Sequence, residues 1–145
     1  MTTLEQEYAL DMRMRIARND VVRPLTGREV AMAVTQAWDD GQELSLDLSA
    51  MNRIVIDPRE RTGRIQPGVS TAALEDAAAP HDLAPLVDHR GSVVAADLIA
   101  AQVVRPGGEL VQADDALLRE IRIGHAVGIV VDATYRLHPA GELAG

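Results

Sequence analysis

The run from Asp47 to Ser70, DLSAMNRIVIDPRERTGRIQPGVS, limits the fold of this chain more than any other stretch. It scans as a β-hairpin leading into a helix. Met51 to Asp57 carries Ile54, Val55 and Ile56, and Asp57-Pro58-Arg59-Glu60 supplies turn chemistry, since Asp bonds nearby backbone amides and Pro presets φ. Thr62 to Gln66 returns as a second short strand. Pro67-Gly68 stops that strand and Ser70 caps a helix, with Val69 and Leu74 placed to staple its first turn. A strand, a Pro-Gly break and a helix cap in that order form a scaffold on which loop groups can be held as a site.

The flanking sequence extends the pattern. Thr26-Gly27-Arg28-Glu29 has the form of a capping box, and behind it Val30, Ala33, Val34, Ala37 and Trp38 recur at three and four, predicting a helix with one buried face that Gly41 closes. Asp20 to Arg23 reads as a short strand ended by Pro24, and Glu43 to Leu48 alternates as a half-buried strand. Leu4 to Ala17 has roughly helical spacing. Ser70 to Ala79 forms a short helix with Leu74, Ala77 and Ala78 inward, and His81 to Gly91 is a polar loop. Ile99 to Val104 and Leu110-Val111 flank Pro106-Gly107-Gly108 as a second hairpin, Asp114 or Asp115 caps a helix through Ile121, and Ile129 to Leu137 is the last strand. The expected fold is α+β: one or two small sheets with two or three packed helices. It divides into an N-terminal helix or arm over residues 1–20, a single domain over 21–139 and a tail over 140–145.

Composition narrows the function. With 14 basic against 22 acidic residues the net charge is −8, which argues against nucleic acid as a partner. Every basic residue is Arg, so Schiff-base chemistry on lysine is excluded; the absence of cysteine excludes disulfides and thiolate catalysis. No stretch approaches the ~18 apolar residues of a membrane span, and the N-terminus carries acids and arginines where a signal peptide needs an apolar run, so a soluble, cytoplasmic protein with no membrane partner is expected. The 145 residues suffice for one core, but that core has no Phe, and small side chains make it thin.

Four stretches coincide with one known family: VVRPLTGREVAMAV at Val21 to Val34, Asp47 to Ala78, LIAAQVVRPGGELVQAD at Leu98 to Asp114, and LLREIRIGHAVGIVVDATYRLHP at Leu117 to Pro139. In their order and spacing they resemble the FAD-binding domain of the FAD-linked oxidases, the p-cresol methylhydroxylase-type fold that includes berberine-bridge-like enzymes. The resemblance implies a trimmed form of that domain. Two Gly-rich loops that hold flavin in the family have no counterpart: the chain runs directly from Gly41 to Asp47, and SVVAAD occupies the place of the second. A third survives only as Arg122, Gly124 and Gly128. A pyrophosphate needs several convergent backbone amides, and glycines let the chain approach it. Loss of these loops implies that no cofactor is expected, with FAD the possible one; if it were retained, Pro67, Gly68, Gly124, Gly128 and Ile129 would hold it.

Candidate chemistry then falls on few residues. His125 with Arg122 three places before it could act as an acid or base or fix a carbonyl, and Tyr135 lies on a strand where alternation favours core over pocket. Asp88-His89 and His81-Asp82 are paired acid–imidazole dipeptides, but their spacing matches no standard ligand motif and no metal is expected. The leading expectation is a flavin-free, non-redox protein that binds a small apolar metabolite and catalyses its cyclisation or isomerisation. A residual FAD-binding oxidoreductase, or a subunit of one, and a pseudoenzyme acting by protein contact are the alternatives. Removal of loops from a larger fold exposes apolar surface, so a homodimer is expected. Light scattering at micromolar concentration should give the mass of two chains; a one-chain mass overturns this expectation.

Overall fold

Capping residues start the helices where the sequence places them. In the computed structural model, which describes residues 3–143 without the side chain of Glu5, helix α1 covers Leu4–Ala17 and α2 covers Gly27–Asp40. Thr26 accepts from the Glu29 amide at 3.1 Å while the Glu29 carboxylate accepts from the Thr26 amide at 3.2 Å, a reciprocal box that satisfies amides no helical carbonyl can reach. Gly41 closes α2 in the left-handed region at φ 62°. Ser70 caps α3 (Thr71–Ala78), and Asp114 caps α4 (Asp115–Arg122) by accepting from the Leu117 amide at 2.9 Å. A one-turn helix α5 spans Ala140–Leu143, so most of the expected tail is helical, and residues 144 and 145 lie outside the described residues.

The strands are β1 (Ile54–Asp57), β2 (Thr62–Ile65), β3 (Leu83–Ala84), β4 (Leu98–Val104), β5 (Leu110–Gln112), β6 (Ile129–Arg136) and β7 (His138–Pro139). Five of them form an antiparallel sheet in the order β1-β2-β6-β4-β5, and β3 pairs with β7 separately. Both expected hairpins are present. The fold is thus a small mixed α+β architecture of the expected class. The strands anticipated at Asp20 to Arg23 and Glu43 to Leu48 reduce to one parallel bridge between Val22 and Leu46. Buried Pro24 lacks an amide to extend it, and Glu43 and Ser45 stay exposed.

The central pair, β4 and β6, is irregular twice. Its register passes from Leu98↔Tyr135 to Ala100↔Thr134, leaving Ile99 extra on β4, and from Gln102↔Asp132 to Val103↔Val130, leaving Val131 extra on β6. One face collects Leu98, Ala101, Val103, Val130, Ala133 and Tyr135, which pack with Leu118 of α4. On the opposite face Val104, Ile129 and Val131 pack with Val30 of α2 and with Met51. Helix α3 covers the β1–β2 end of the first face, with Leu74 fully buried and its Cδ1 against Gly63. Helix α1 lies on α2 through Met12, Ile16, Ala33 and Ala37. Trp38, expected on the buried face of α2, is 65% exposed; it sits in the last turn, beside Gly107 of the second hairpin rather than over the sheet.

Leu74 is fully buried, with its Cδ1 against Gly63. Leu74→Ala should therefore cost roughly 2–5 kcal/mol and lower the urea midpoint, whereas Leu4→Ala should change stability by less than about 0.5 kcal/mol, because Leu4 is 84% exposed.

Candidate functional site

The polar end of the α2-covered sheet face is the part that helices leave open. Strand alternation puts Val55, Arg64, Thr134, Ala100, Asp132 and Gln102 on it, because Val55 pairs with Arg64, Arg64 with Thr134, Ala100 with Thr134, and Gln102 with Asp132. Two adjoining grooves run across this surface. One, of about 330 Å³, is lined by Thr26, Gly27, Arg53, Val55, Arg64, Ile65, Gln66, Gln102, Val131 and Asp132. The other, of about 310 Å³, continues it past Arg64, Ala100, Gln102, Gln112 and Thr134.

Arg64 is the centre of both. Its Nε donates to the two oxygens of Asp132 at 2.8 and 2.7 Å, a bond between neighbouring strands that fixes the guanidinium over the sheet. Asp132 is the more enclosed partner, with 16% side-chain exposure against 55% for Arg64. Arg53 stands one rung further along: its amide donates to Gln66 Oε1 at 2.9 Å, and the Gln66 amide donates back to its carbonyl at 3.2 Å. Among the described residues no carboxylate pairs with the Arg53 guanidinium.

The residues singled out from sequence lie elsewhere. Arg122 and His125 are exposed at the end of α4 and in the loop beyond it, where the His125 amide donates to the Glu120 carbonyl at 3.0 Å. Asp88 and His89 occupy a tight turn bridged by Val87 and Val93. Asp88 Oδ1 accepts from the amides of Arg90 and Ser92 at 2.8 and 3.1 Å, and these bonds hold its carboxyl below the usual carboxylate range. Such a carboxylate serves its own turn first. Tyr135 packs into the α4 side of the sheet. None of these five residues lines either groove of the open face. Of the other histidines, His138 bonds buried Asp97 at 2.8 Å, tying β7 to the start of β4. Among the described residues no three His, Asp or Glu side chains form a metal-holding group, and no helix is long and apolar enough to cross a membrane.

The sequence could have yielded the Arg64–Asp132 surface. Alternation along Arg53 to Val55, Arg64 to Gln66 and Asp132 to Thr134 places polar groups on one side of three strands. That pattern is readable, but the identity of the open side depends on where the helices lie.

Comparison of whole folds gives the class. The fold is that of the FAD-linked oxidases, which agrees with the resemblance carried by the four sequence stretches. The solved structure of 6-hydroxy-D-nicotine oxidase from Arthrobacter nicotinovorans superposes with a TM-score of 0.69 at 21% identity, over 82% of this chain and 36% of that one. A BBE-like protein from Arabidopsis thaliana gives 0.72 at 17% identity, over 81% and 34%. Phl p 4, a grass pollen allergen with glucose dehydrogenase activity, gives 0.73 at 16% identity, over 82% and 35%. The chain thus spans about a third of the length of these structures. No family model matches the sequence, and no curated protein matches it.

Two of the glycines that would hold a flavin pyrophosphate, Gly68 and Gly124, have their amides bonded within the chain. A side chain on Gly68 would sit 2.6 Å from the Ser49 carbonyl oxygen, and the Gly68 amide already donates to Met51 at 2.8 Å. Gly128, at φ 128°, lets the chain pass directly over the Val104 carbonyl. Gly124 donates to Ile121 at 3.1 Å. Pro67 has no amide to give, and Ile129 opens β6 opposite Val104. The α2 terminus is capped by its own Thr26 and Glu29. Of the five residues, Gly68 and Gly124 thus have their amides engaged within the chain and Pro67 has none to offer.

Burial pushes the Tyr135 phenol above its ordinary value of 10.0, so the group stays protonated through the neutral range. A phenol raised in the folded state contributes stability that is complete below the unfolded value and lost as pH rises through the folded one. Tyr8 is raised as well, by burial and then by Glu29 and Asp11. Urea denaturation followed above pH 10 should show falling stability, and Tyr135→Phe should flatten part of that fall; an unchanged slope in the variant overturns the assignment.

Proposed function

We propose that this chain is a flavin-free, non-redox protein that binds a small metabolite on the open sheet face and promotes its cyclisation or isomerisation. The observation that carries this reading is the pair of adjoining grooves around Arg64, an open surface on a rigid sheet with fixed polar groups. Val55, Ile65 and Val131 offer an apolar bed within the larger groove, matching a metabolite with an apolar body. Reactions within one molecule need it held in a reactive shape with a few preorganised dipoles, which a sheet-anchored guanidinium and two glutamine amides can supply without a cofactor. The Gly68 and Gly124 amides, both bonded within the chain, support the flavin-free part of the reading.

The second reading is a residual FAD-binding oxidoreductase or a subunit of one. Its specific support is the likeness to FAD-linked oxidase folds, of whose length this chain spans about a third, so that the remaining flavin contacts would come from other polypeptide.

One titration separates the two. Purified protein should be colourless and should not retain added FAD through gel filtration. Flavin absorbance that co-elutes with the protein overturns the flavin-free reading.

A further inference from the structure

The larger groove carries a charge pattern opposite to that of the protein. The whole chain has a net charge of −8, yet the charged side chains lining this groove are Arg53 and Arg64 against the single carboxylate of Asp132. One positive charge is left over, on a surface where no helix or loop covers it.

The bonding of Arg64 sharpens this excess. Asp132 is contacted through Nε, so it fixes the guanidinium plane while its bonds leave the terminal edge, made by the two Nη groups, unused. A planar guanidinium held by one carboxylate and offering a second pair of donors is suited to another carboxylate. Arg53 lies on the same face, because it precedes Val55 by two residues and shares a rung with Gln66. Its guanidinium has no carboxylate partner among the described residues. At the start of α2 the capping box already engages the amides of Thr26 and Glu29.

Resting on the proposed function, we infer that the metabolite is a monoanionic organic acid. Its carboxylate lies between Arg53 and the Nη edge of Arg64, and its body lies on Val55 and Val131. One uncompensated guanidinium matches one negative charge. A phosphate dianion would remain half neutralised there and would find no array of backbone amides to replace its hydration.

Benzoate and its neutral isostere benzamide are the probes, titrated into the full chain with backbone amide shifts as the readout. Benzoate should move the amides of Val55, Arg64 and Asp132 and bind at least ten-fold tighter than benzamide. Arg53→Gln should weaken benzoate ten-fold or more and leave benzamide unchanged, with the rest of the spectrum in place as proof of folding. Arg64→Gln should do the same, but it strands Asp132, so Arg53→Gln is the decisive variant. Equal affinity for benzoate and benzamide overturns the organic-acid inference while leaving a metabolite-binding face. Absence of shifts on this face, or competition by inorganic phosphate at equal concentration, also overturns it. Retention of FAD overturns the flavin-free function whatever benzoate does, so the two failures are read separately.

Discussion

The bulge at Val131 on β6 is the constraint on which both the packing and the open face depend. A regular strand sends successive side chains to opposite faces, so Val131 and Asp132 could not both point toward α2. The extra residue between the Gln102↔Asp132 and Val103↔Val130 pairs lets them do so. Val131 then packs with Val30, Met51 and Val104 beneath α2, and Asp132 reaches Arg64 on β2. Without the bulge, one of these two arrangements would be lost. The compensating irregularity at Ile99 restores the register, so that Leu98 and Tyr135 return to the α4 side.

Helix α2 is held close to the sheet for the same reason. A side chain added at Gly27 would stand 2.9 Å from Val131 Cγ2, so a hydrogen at this position is what lets the first turn meet the bulge. That approach makes Thr26 and Gly27 a wall of the groove. Helix α1 then buries Met12 and Ile16 on the far side of α2 and does not reach the open face. Packing of α2 thus decides how much of the sheet is covered, and the limit of its apolar contact marks where the polar surface begins.

This division explains which features the sequence made readable. Local chemistry announced itself: the Thr26 box, the Gly41 stop, the Ser70 and Asp114 caps and both hairpins are each written within a few residues. What it did not show depends on distant partners. Glu43 to Leu48 has the alternation of a strand, but it finds only one rung beside Val22. Trp38 continues the apolar spacing of α2, but the sheet has ended by its turn and the indole meets the second hairpin. The pairing of Arg64 with Asp132 joins residues 68 positions apart and requires a bulge that no local pattern marks. Arg122 and His125 stand out because their loop keeps a local family pattern, whereas the open face is assembled from three separate strands that no single stretch of sequence displays.

The ion pairs of the chain also differ in what they can explain. Arg15–Asp11, Arg18–Asp20 and Arg23–Asp47 join exposed side chains, and solvent screening leaves pairs of that kind little effect on stability. Arg64–Asp132 has a half-exposed guanidinium and an enclosed carboxylate on a central strand. Enclosing that carboxylate costs solvation, and an apolar pair of similar volume would often serve stability as well or better. Stability alone is thus a weak reason for a charged pair at this position. A fixed guanidinium with donors turned toward open space is a stronger one, because Asp132 already sets its orientation in the free chain and a preordered group costs less to engage. The same bulge that seats α2 thereby supplies the carboxylate that aims Arg64, and the frame and the candidate site share one irregularity of backbone.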